Sequence, residues 1–253
     1  MNKKLIIEIR KGGLGDHLFY SHLPRIAKQT GAFDTVYISN HSFFRNEDYK
    51  KLIWESNPFL DGFTDDRGVF HFSTYVNDTQ NLLDTLMLLY GLEDHVRMHN
   101  PEIYYRPEVK AELKGVILYD PNFVSYTGDL KSAHLIQKWF THNNITVDYQ
   151  MAVLGKRKLI LKNQHLLSAK DIFDFCSILI SAEKIFCLNT GTAALATALG
   201  VKCNVFYGKG LDKGYMHSKS NNYIYLGTDY NIFDYFKKSV YIVYNSFQML
   251  KNR

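Results

Sequence analysis

The stretch from residue 184 to residue 208 constrains the fold of this 253-residue chain more than any other part of it. Residues 185–188 are continuously apolar, which is typical of a strand buried on both faces of a parallel sheet. After a short polar turn, residues 193–199 predict a helix that ends at Gly200, and residues 204–207 predict a second strand. A strand, a helix and a strand in this order predict a parallel βαβ unit.

The turn that precedes the predicted helix is made of Asn189, Thr190, Gly191 and Thr192. A helix that begins at such a turn directs its free N–H groups and its positive dipole end beyond the edge of the sheet. Phosphate groups bind at helix ends of this kind, so the turn is a candidate phosphate site. The alternative is an ordinary crossover whose helix is capped by a threonine, and this stretch alone leaves both interpretations open.

The rest of the chain alternates between strand and helix patterns, which favours an α/β protein with parallel sheets. Strands are predicted at residues 5–9, 36–39, 62–64, 116–119, 158–161 and 223–226. Helices are predicted at residues 17–29 (interrupted by Pro24), 46–55, 81–90, 133–142, 171–182 and 233–250. Pro101 and Pro107 break the pattern, and we place a domain boundary at about residue 113. The chain is therefore predicted to form two Rossmann-like domains, residues 1–113 and 114–253, that face each other across a cleft.

Charge and composition limit the classes of partner. The net charge of +5 and the isoelectric point near 8.9 are too weak and too dispersed to predict nucleic-acid binding. They suit anionic ligands or the surface of an anionic membrane. The N-terminus lacks a signal-peptide pattern, and no apolar run approaches the ~20 residues of a membrane-spanning helix, so we expect a cytoplasmic protein.

The three cysteines, Cys176, Cys187 and Cys203, show no CxxC spacing and are odd in number. They fall in predicted helices and strands rather than in loops. We expect buried free thiols in a reducing compartment.

The first predicted strand leads into a second glycine-rich turn, which contains Gly13, Gly15 and Asp16. A dinucleotide fingerprint would need glycine at the position of Leu18, and the second strand runs into Ser39 and an asparagine rather than an acidic residue. Nicotinamide or flavin binding is therefore disfavoured. Asp16 stands at a helix start, where it caps the helix or serves as a general base that faces the cleft, and the two roles are compatible.

Together the two turns resemble the heptosyltransferase-like glycosyltransferases of family nine, which have the GT-B fold. The N-terminal segment Gly13-Leu14-Gly15-Asp16, followed by Leu23-Pro24, resembles the first turn and helix of that family. The family's donor-binding segment reads Asp-Thr-Gly, two residues, His, an alanine-rich helix, Leu-Gly, a strand and Gly. Residues 189–208 follow this pattern, with Asn189 in place of the aspartate and Ala194 in place of the histidine. Asp120-Pro121-Asn122 resembles the start of the family's second domain.

The resemblance implies a two-domain enzyme that uses neither a metal nor a cofactor. The nucleotide-sugar donor would lie on the C-terminal domain and the acceptor on the N-terminal domain. Asp16 takes the role of the base, and Thr190, Gly191 and Thr192 take the contacts with the donor diphosphate. Gly13, Gly15 and Asn189 complete the predicted donor site.

Several further side chains are candidates. Lys209 and Lys213 would neutralise the departing diphosphate, as would His217 or Lys11, although a solvated basic loop is the alternative. His17 and His22 lack partners at metal-ligand spacing, so no metal site is predicted. The remaining candidates are aromatic side chains that would line an acceptor groove or pack in the core: Phe70, Phe72, Tyr75, Tyr104 and Tyr105.

The leading hypothesis is a glycosyltransferase that moves a sugar from a nucleotide-diphosphate donor to a saccharide or lipid-linked glycan, in the synthesis of bacterial lipopolysaccharide or capsule. A nucleotide-sugar hydrolase on the same fold and a non-catalytic nucleotide-sugar-binding subunit are the alternatives. An oxidoreductase with a Rossmann fold remains a distant fourth hypothesis.

Overall fold

A computed structural model describes residues 3–72, 81–123, 130, 132–152, 158–211 and 215–226. Within these residues the apolar runs of the sequence build two separate parallel sheets. The predicted helix at residues 233–250, Tyr75 and Lys213 lie outside the described residues. Among the described residues, no helix combines the length and the apolar character that crossing a membrane requires.

The first half of the molecule carries a three-stranded sheet of order β1-β2-β3, in which all neighbouring strands are parallel. Val69 adds a parallel bridge beside Ile7 at the end of β1. The elements of this half are β1 Lys4–Ile7, α1 Leu14–Leu18, α2 Leu23–Gln29, β2 Thr35–Ser39, a π-type helix Lys50–Glu55, β3 Gly62–Thr64 and α3 Leu82–Leu89.

The single interrupted helix predicted at residues 17–29 is two helices. Pro24 lies in the first turn of α2, where its missing N–H has no helical partner to lose. Residues 19–22 form turns between α1 and α2, and α1 begins earlier than expected, at Leu14. The break therefore precedes the proline.

The second half carries a six-stranded parallel sheet of order β6-β5-β4-β7-β8-β9. Counted within this half, the order is 3-2-1-4-5-6, which is the order of dinucleotide-binding Rossmann sheets. The elements are β4 Ile117–Asp120, α4 Ala133–His142, β5 Tyr149–Met151, β6 His165–Leu167, α5 Ile172–Ser181, β7 Lys184–Leu188, α6 Gly191–Ala198, β8 Cys203–Tyr207 and β9 Asn222–Tyr225. The first sheet ends at residue 64 and the second begins at residue 117, on either side of the predicted boundary at residue 113.

The predicted strand at residues 158–161 was wrong. Lys158 makes an isolated antiparallel bridge to Asn122, and the next residues bond to other partners. The Leu159 N–H donates to the Pro121 carbonyl (3.1 Å), and the Leu161 N–H donates to Oε1 of Gln150 (2.8 Å). The apolar run at residues 159–161 contains two leucines that are buried without a strand ladder.

Two apolar clusters hold the molecule together. The larger one is continuous through both halves and includes Ile7 and Trp54 from the first half and Cys187 and Val205 from the second. The smaller one includes Phe186 and Phe206, which alternate with Cys187 and Val205 along β7 and β8 and so lie on the opposite face of the second sheet. The three cysteines, Cys176, Cys187 and Cys203, are buried free thiols, as predicted.

Candidate active site

The order of the second sheet reverses between β4 and β7, so the crevice beyond their carboxyl ends is the expected ligand site of such a sheet. Asp120 ends β4, and Asn189 follows β7 directly. The predicted phosphate-binding turn, residues 189–192, therefore lies at this point of reversal. The helix α6 begins there at Gly191 and is capped by Thr190, whose Oγ1 accepts from the Thr192 N–H at 3.3 Å.

Asp120 is a buried carboxylate that the sequence analysis did not assign to the site. Its Oδ2 accepts a hydrogen bond from Oγ1 of Thr192 at 2.6 Å, across the crevice between β4 and β7. Its Oδ1 accepts from the N–H and from Nδ2 of Asn122, at 3.0 and 2.7 Å. Burial raises the pKa of Asp120 in spite of these bonds. The Thr192 hydroxyl is thus already engaged as a donor. The position of Asp120 at the end of an apolar strand was the one sequence signal that could have suggested a site residue.

Asp16 lies in the first turn of α1, where a negative charge interacts favourably with the positive end of the helix dipole. Its Oδ2 accepts a hydrogen bond from the Gly13 N–H at 3.0 Å, which closes the cap. Burial raises the pKa of Asp16, although the Gly13 bond and the nearby charges of Lys11 and Arg45 oppose the change. A carboxylate of raised pKa beside a glycine turn has the chemistry of a general base.

His17, the residue after Asp16, has a ring that is held by two hydrogen bonds. An indole nitrogen only donates, so Nδ1 of His17 accepts from Nε1 of Trp54 at 3.2 Å. Nε2 of His17 therefore carries the proton and donates to the Phe43 carbonyl at 3.0 Å. Burial lowers the pKa of His17 to about 4, and the ring stacks on Phe44 with 4.4 Å between ring centroids. His17 is therefore a neutral packing residue.

The two glycine turns are in direct contact. A Cβ atom added to Gly15 would lie 3.3 Å from the Gly191 Cα, and one added to Gly191 would lie 3.1 Å from the Gly15 nitrogen. A side chain at either position would crowd the backbone of the other turn, so glycine suits this close approach. The structure therefore brings together the two predicted site turns, with the base candidate on one and the phosphate-binding candidate on the other.

Asn189 is 7% exposed, and its Nδ2 has no hydrogen-bond partner among the described residues. A buried amide usually finds a partner, so this atom marks a polar position at the point of reversal. Lys209 follows β8 by two residues and is half-buried, at the same edge of the sheet. The predicted partner of Lys209, Lys213, lies outside the described residues.

The aromatic candidates divide into two groups. Phe70 and Phe72 are parallel, and the Lys11 ammonium lies 3.6 Å from the centroid of Phe72. Lys11, proposed to face the donor phosphates, is thus held on an aromatic face in the first half. Tyr105 packs on Phe173 of α5 against the core, and Tyr104 packs on Phe59, where both rings are half-buried. No group of three or more His, Cys, Asp or Glu side chains within the described ranges is arranged to hold a metal ion.

Neither a protein-family profile nor any curated protein sequence matches this chain. Solved structures do match it. A family 9 glycosyl transferase from Veillonella parvula superposes with a TM-score of 0.57 and 11% identity, over 97% of this chain and 89% of that one. The E. coli ADP-heptose LPS heptosyltransferase II superposes with a TM-score of 0.57 and 11% identity, over 88% and 90% of the two chains.

A third match is the iron-containing dodecameric glycosyltransferase TibC from enterotoxigenic E. coli, with a TM-score of 0.60 and 13% identity. This chain has the fold of these glycosyltransferases. The predicted two-part α/β fold of GT-B type is thus confirmed, over most of the chain. The alignment covers 87% of this chain but only 62% of TibC.

Proposed function

We propose that this protein is a glycosyltransferase that moves a sugar from a nucleotide-diphosphate donor to a saccharide hydroxyl. The observation that carries the proposal is the contact between Gly15 and Gly191, which unites the Asp16 turn with the α6 turn on a glycosyltransferase fold. One neighbour, TibC, is described in complex with ADP-D-beta-D-heptose, and another neighbour is described with ADP. A nucleotide sugar is accordingly the donor class proposed here.

In the proposed reaction, Asp16 takes the proton from the acceptor hydroxyl as its oxygen attacks the anomeric carbon of the donor sugar. The bond from that carbon to the nucleoside diphosphate breaks, and the diphosphate leaves with the electron pair. The N-terminus of α6 and Lys209 would stabilise its negative charge. Because Thr192 already donates its hydroxyl to Asp120 and its N–H to Oγ1 of Thr190, the N–H of Gly191 at the start of α6 is the proposed contact with the diphosphate.

We further propose that the acceptor belongs to lipopolysaccharide or capsule synthesis and that the transfer uses neither a metal nor a cofactor. The proposed location is the cytoplasm, with contact at the inner membrane. The contact would involve the first half, where Arg10 and Lys11 lie over Phe70 and Phe72. Basic groups backed by aromatic rings suit an anionic surface.

The proposal is tested by thermal-shift binding of nucleoside diphosphates and nucleotide sugars, followed by turnover assays with and without saccharide acceptors. Acceptor-dependent release of the nucleoside diphosphate is the expected result. Equal release without an acceptor would instead show a hydrolase. Binding without turnover across donors and acceptors would show a nucleotide-sugar-binding subunit.

A further inference from the structure

His217 is a buried imidazole at the seam between the two halves, which we define as the contact of α1 and α3 with the 189–192 turn and the 215–218 loop. Its side chain belongs to the loop between β8 and β9 and is 1% exposed. The ring packs edge-on against Phe19, which follows α1, with 5.4 Å between centroids. Its backbone carbonyl accepts from Nδ2 of Asn81, the residue that caps α3, at 3.1 Å. A buried second-half side chain therefore packs against the first half.

The protonation of His217 follows from its partners. Its Nδ1 lies 2.7 Å from the Tyr215 carbonyl, which can only accept, so Nδ1 carries the proton. Burial lowers the pKa of His217 to about 4, so the ring is neutral near pH 7. The Nε2 atom of the neutral ring is a hydrogen-bond acceptor, and it has no partner among the described residues.

This chemistry corrects the expectation that His217 neutralises the departing diphosphate. A neutral imidazole whose single N–H is already bonded offers a phosphate oxygen no donor. What Nε2 can bind is a group that donates, and a hydroxyl is the donor that saccharides present in abundance.

The position of the ring places this acceptor near the candidate base. Asp16 and Phe19 are three residues apart at α1 and so share one side of the helix. His217 packs on Phe19, one helical turn from Asp16. His22 also has an unpartnered ring nitrogen, but the neighbours of its ring, Leu83 and His99, both belong to the first half.

We propose that Nε2 of His217 accepts a hydrogen bond from a hydroxyl group of a saccharide substrate bound at the seam. This inference rests on the proposed function, because it takes the substrate to be a sugar. The hydroxyl belongs either to the donor sugar or to the acceptor, and both present the same chemistry. Separation of the halves would expose the ring, and their closure on the substrate would bury the new bond.

Three substitutions at this position test the inference. His217→Phe keeps a ring against Phe19 but removes both nitrogens. His217→Gln brings an amide oxygen to about the position of Nε2, whereas the shorter side chain of His217→Asn reaches only the position of Nδ1. The measurements are the Kd of the nucleotide sugar that supports turnover, the Kd of its nucleoside diphosphate, and the KM of the acceptor.

We expect the Phe and Asn variants to weaken binding by about 2- to 12-fold, the equivalent of one hydrogen bond. The Gln variant is expected to retain most of the affinity, and the Kd of the nucleoside diphosphate should not change in any variant. A change in the Kd of the nucleotide sugar assigns the hydroxyl to the donor, whereas a change in the KM of the acceptor assigns it to the acceptor. His22→Phe is the matched control: it alters a buried histidine whose ring neighbours, Leu83 and His99, both belong to the first half, and it should lower stability without changing these constants.

Three results would overturn the inference while the proposed function stands. The first is an unchanged Kd and KM in the Phe variant. The second is an equal loss of affinity for the nucleoside diphosphate, and the third is a Gln variant as weak as Phe, since neither of these fits a sugar hydroxyl at Nε2. If the wild-type protein turns over no nucleotide sugar at all, the proposed function fails first and the inference fails with it.

Discussion

Asp16 closes the cap of α1 and is also the proposed general base, and a pair of substitutions separates the two roles. Asp16→Asn keeps an oxygen that can accept from the Gly13 N–H and so preserves the cap, but it cannot take a proton. We expect turnover to fall about 10²- to 10⁴-fold in this variant, with donor affinity nearly unchanged. Asp16→Ala should lose the same activity and some stability as well. Steady-state kinetics with thermal-shift titration of the donor measures both effects, and near-normal turnover in the Asn variant would remove Asp16 from the mechanism.

A second residue-scale effect concerns stability. His99 is buried with its Nδ1 2.6 Å from Oδ1 of Asp84 and its Nε2 3.0 Å from Oδ2 of Asp94. Burial lowers the pKa of His99, but the two carboxylates outweigh it and raise the pKa above its usual value. The nearest ring, that of His22, has a pKa of about 3 and stays neutral. His99 is therefore a link between two carboxylates that favour its charged form.

The sign of the pH dependence follows from this shift. A histidine whose pKa is raised on folding contributes stability that is fully present below the unfolded value of about 6.5, and the contribution is lost as the pH rises through the folded pKa. We expect His99→Gln to lower the free energy of unfolding much more at about pH 6 than at about pH 9. Urea denaturation at both pH values measures the difference. The control His41→Gln removes an exposed histidine, and its effect on the free energy of unfolding should be similar at the two pH values. An effect of His99→Gln that is just as similar at the two pH values would contradict the expectation.

At the scale of elements, the hydrogen bond between Asp120 and Thr192 joins β4 to α6 across the point where the sheet order reverses. Thr192→Val keeps the shape of the side chain but leaves one buried carboxylate oxygen without its donor. We expect this to cost about 1–3 kcal/mol of unfolding free energy. The exposed helix residue Thr141 offers a control, since Thr141→Val should change stability by about 0.5 kcal/mol at most.

A double-mutant cycle with Asp120→Asn isolates the bond between the two elements. Residues that share a buried hydrogen bond are expected to show a coupling energy of about 0.5–3 kcal/mol in the cycle. Additive effects of the two substitutions, measured by chemical denaturation, would mean that Thr192 and Asp120 act independently.

The elements that the sequence predicted best are those with strong local signals. The β7-α6-β8 unit has a continuous apolar strand, a threonine cap and Gly200, whose φ of +76° ends the helix as the sequence suggested. The strands β5 and β6 were missed because each has three residues and they lack an apolar pattern. Residues 158–161 misled the prediction because their leucines are buried in the smaller apolar cluster while their N–H groups bond to Pro121 and Gln150, which no local pattern reveals.

The site was predictable only in part for the same reason. Both glycine turns and Asp16 carry local signals, whereas the roles of Asp120 and His217 depend on contacts with residues that are distant in sequence. Asp120 is 72 residues from Thr192, and His217 is 136 residues from Asn81. Such contacts follow from the order of the strands and the packing of the halves.

At the scale of the whole molecule, the larger apolar cluster passes through both halves. Separation of the halves would expose apolar surface on each, so neither half is expected to unfold without the other. The Gly15–Gly191 contact and the bond between Asn81 and the His217 carbonyl join the halves at two further points. We therefore expect one cooperative unfolding transition rather than two.

The two tryptophans allow this expectation to be measured. Trp54 is fully buried in the first half, and Trp139 packs against Phe140 and Phe206 in the second. The chain has no other tryptophan, so Trp139→Phe and Trp54→Phe each leave a fluorescent reporter in one half. Because Trp54→Phe also removes the bond to His17, the comparison is made within each variant, between its fluorescence and its far-UV circular dichroism. Coincident midpoints in both variants are expected for a shared core. A Trp139 signal that persists after half of the dichroism is lost would show instead that the second half is stable by itself.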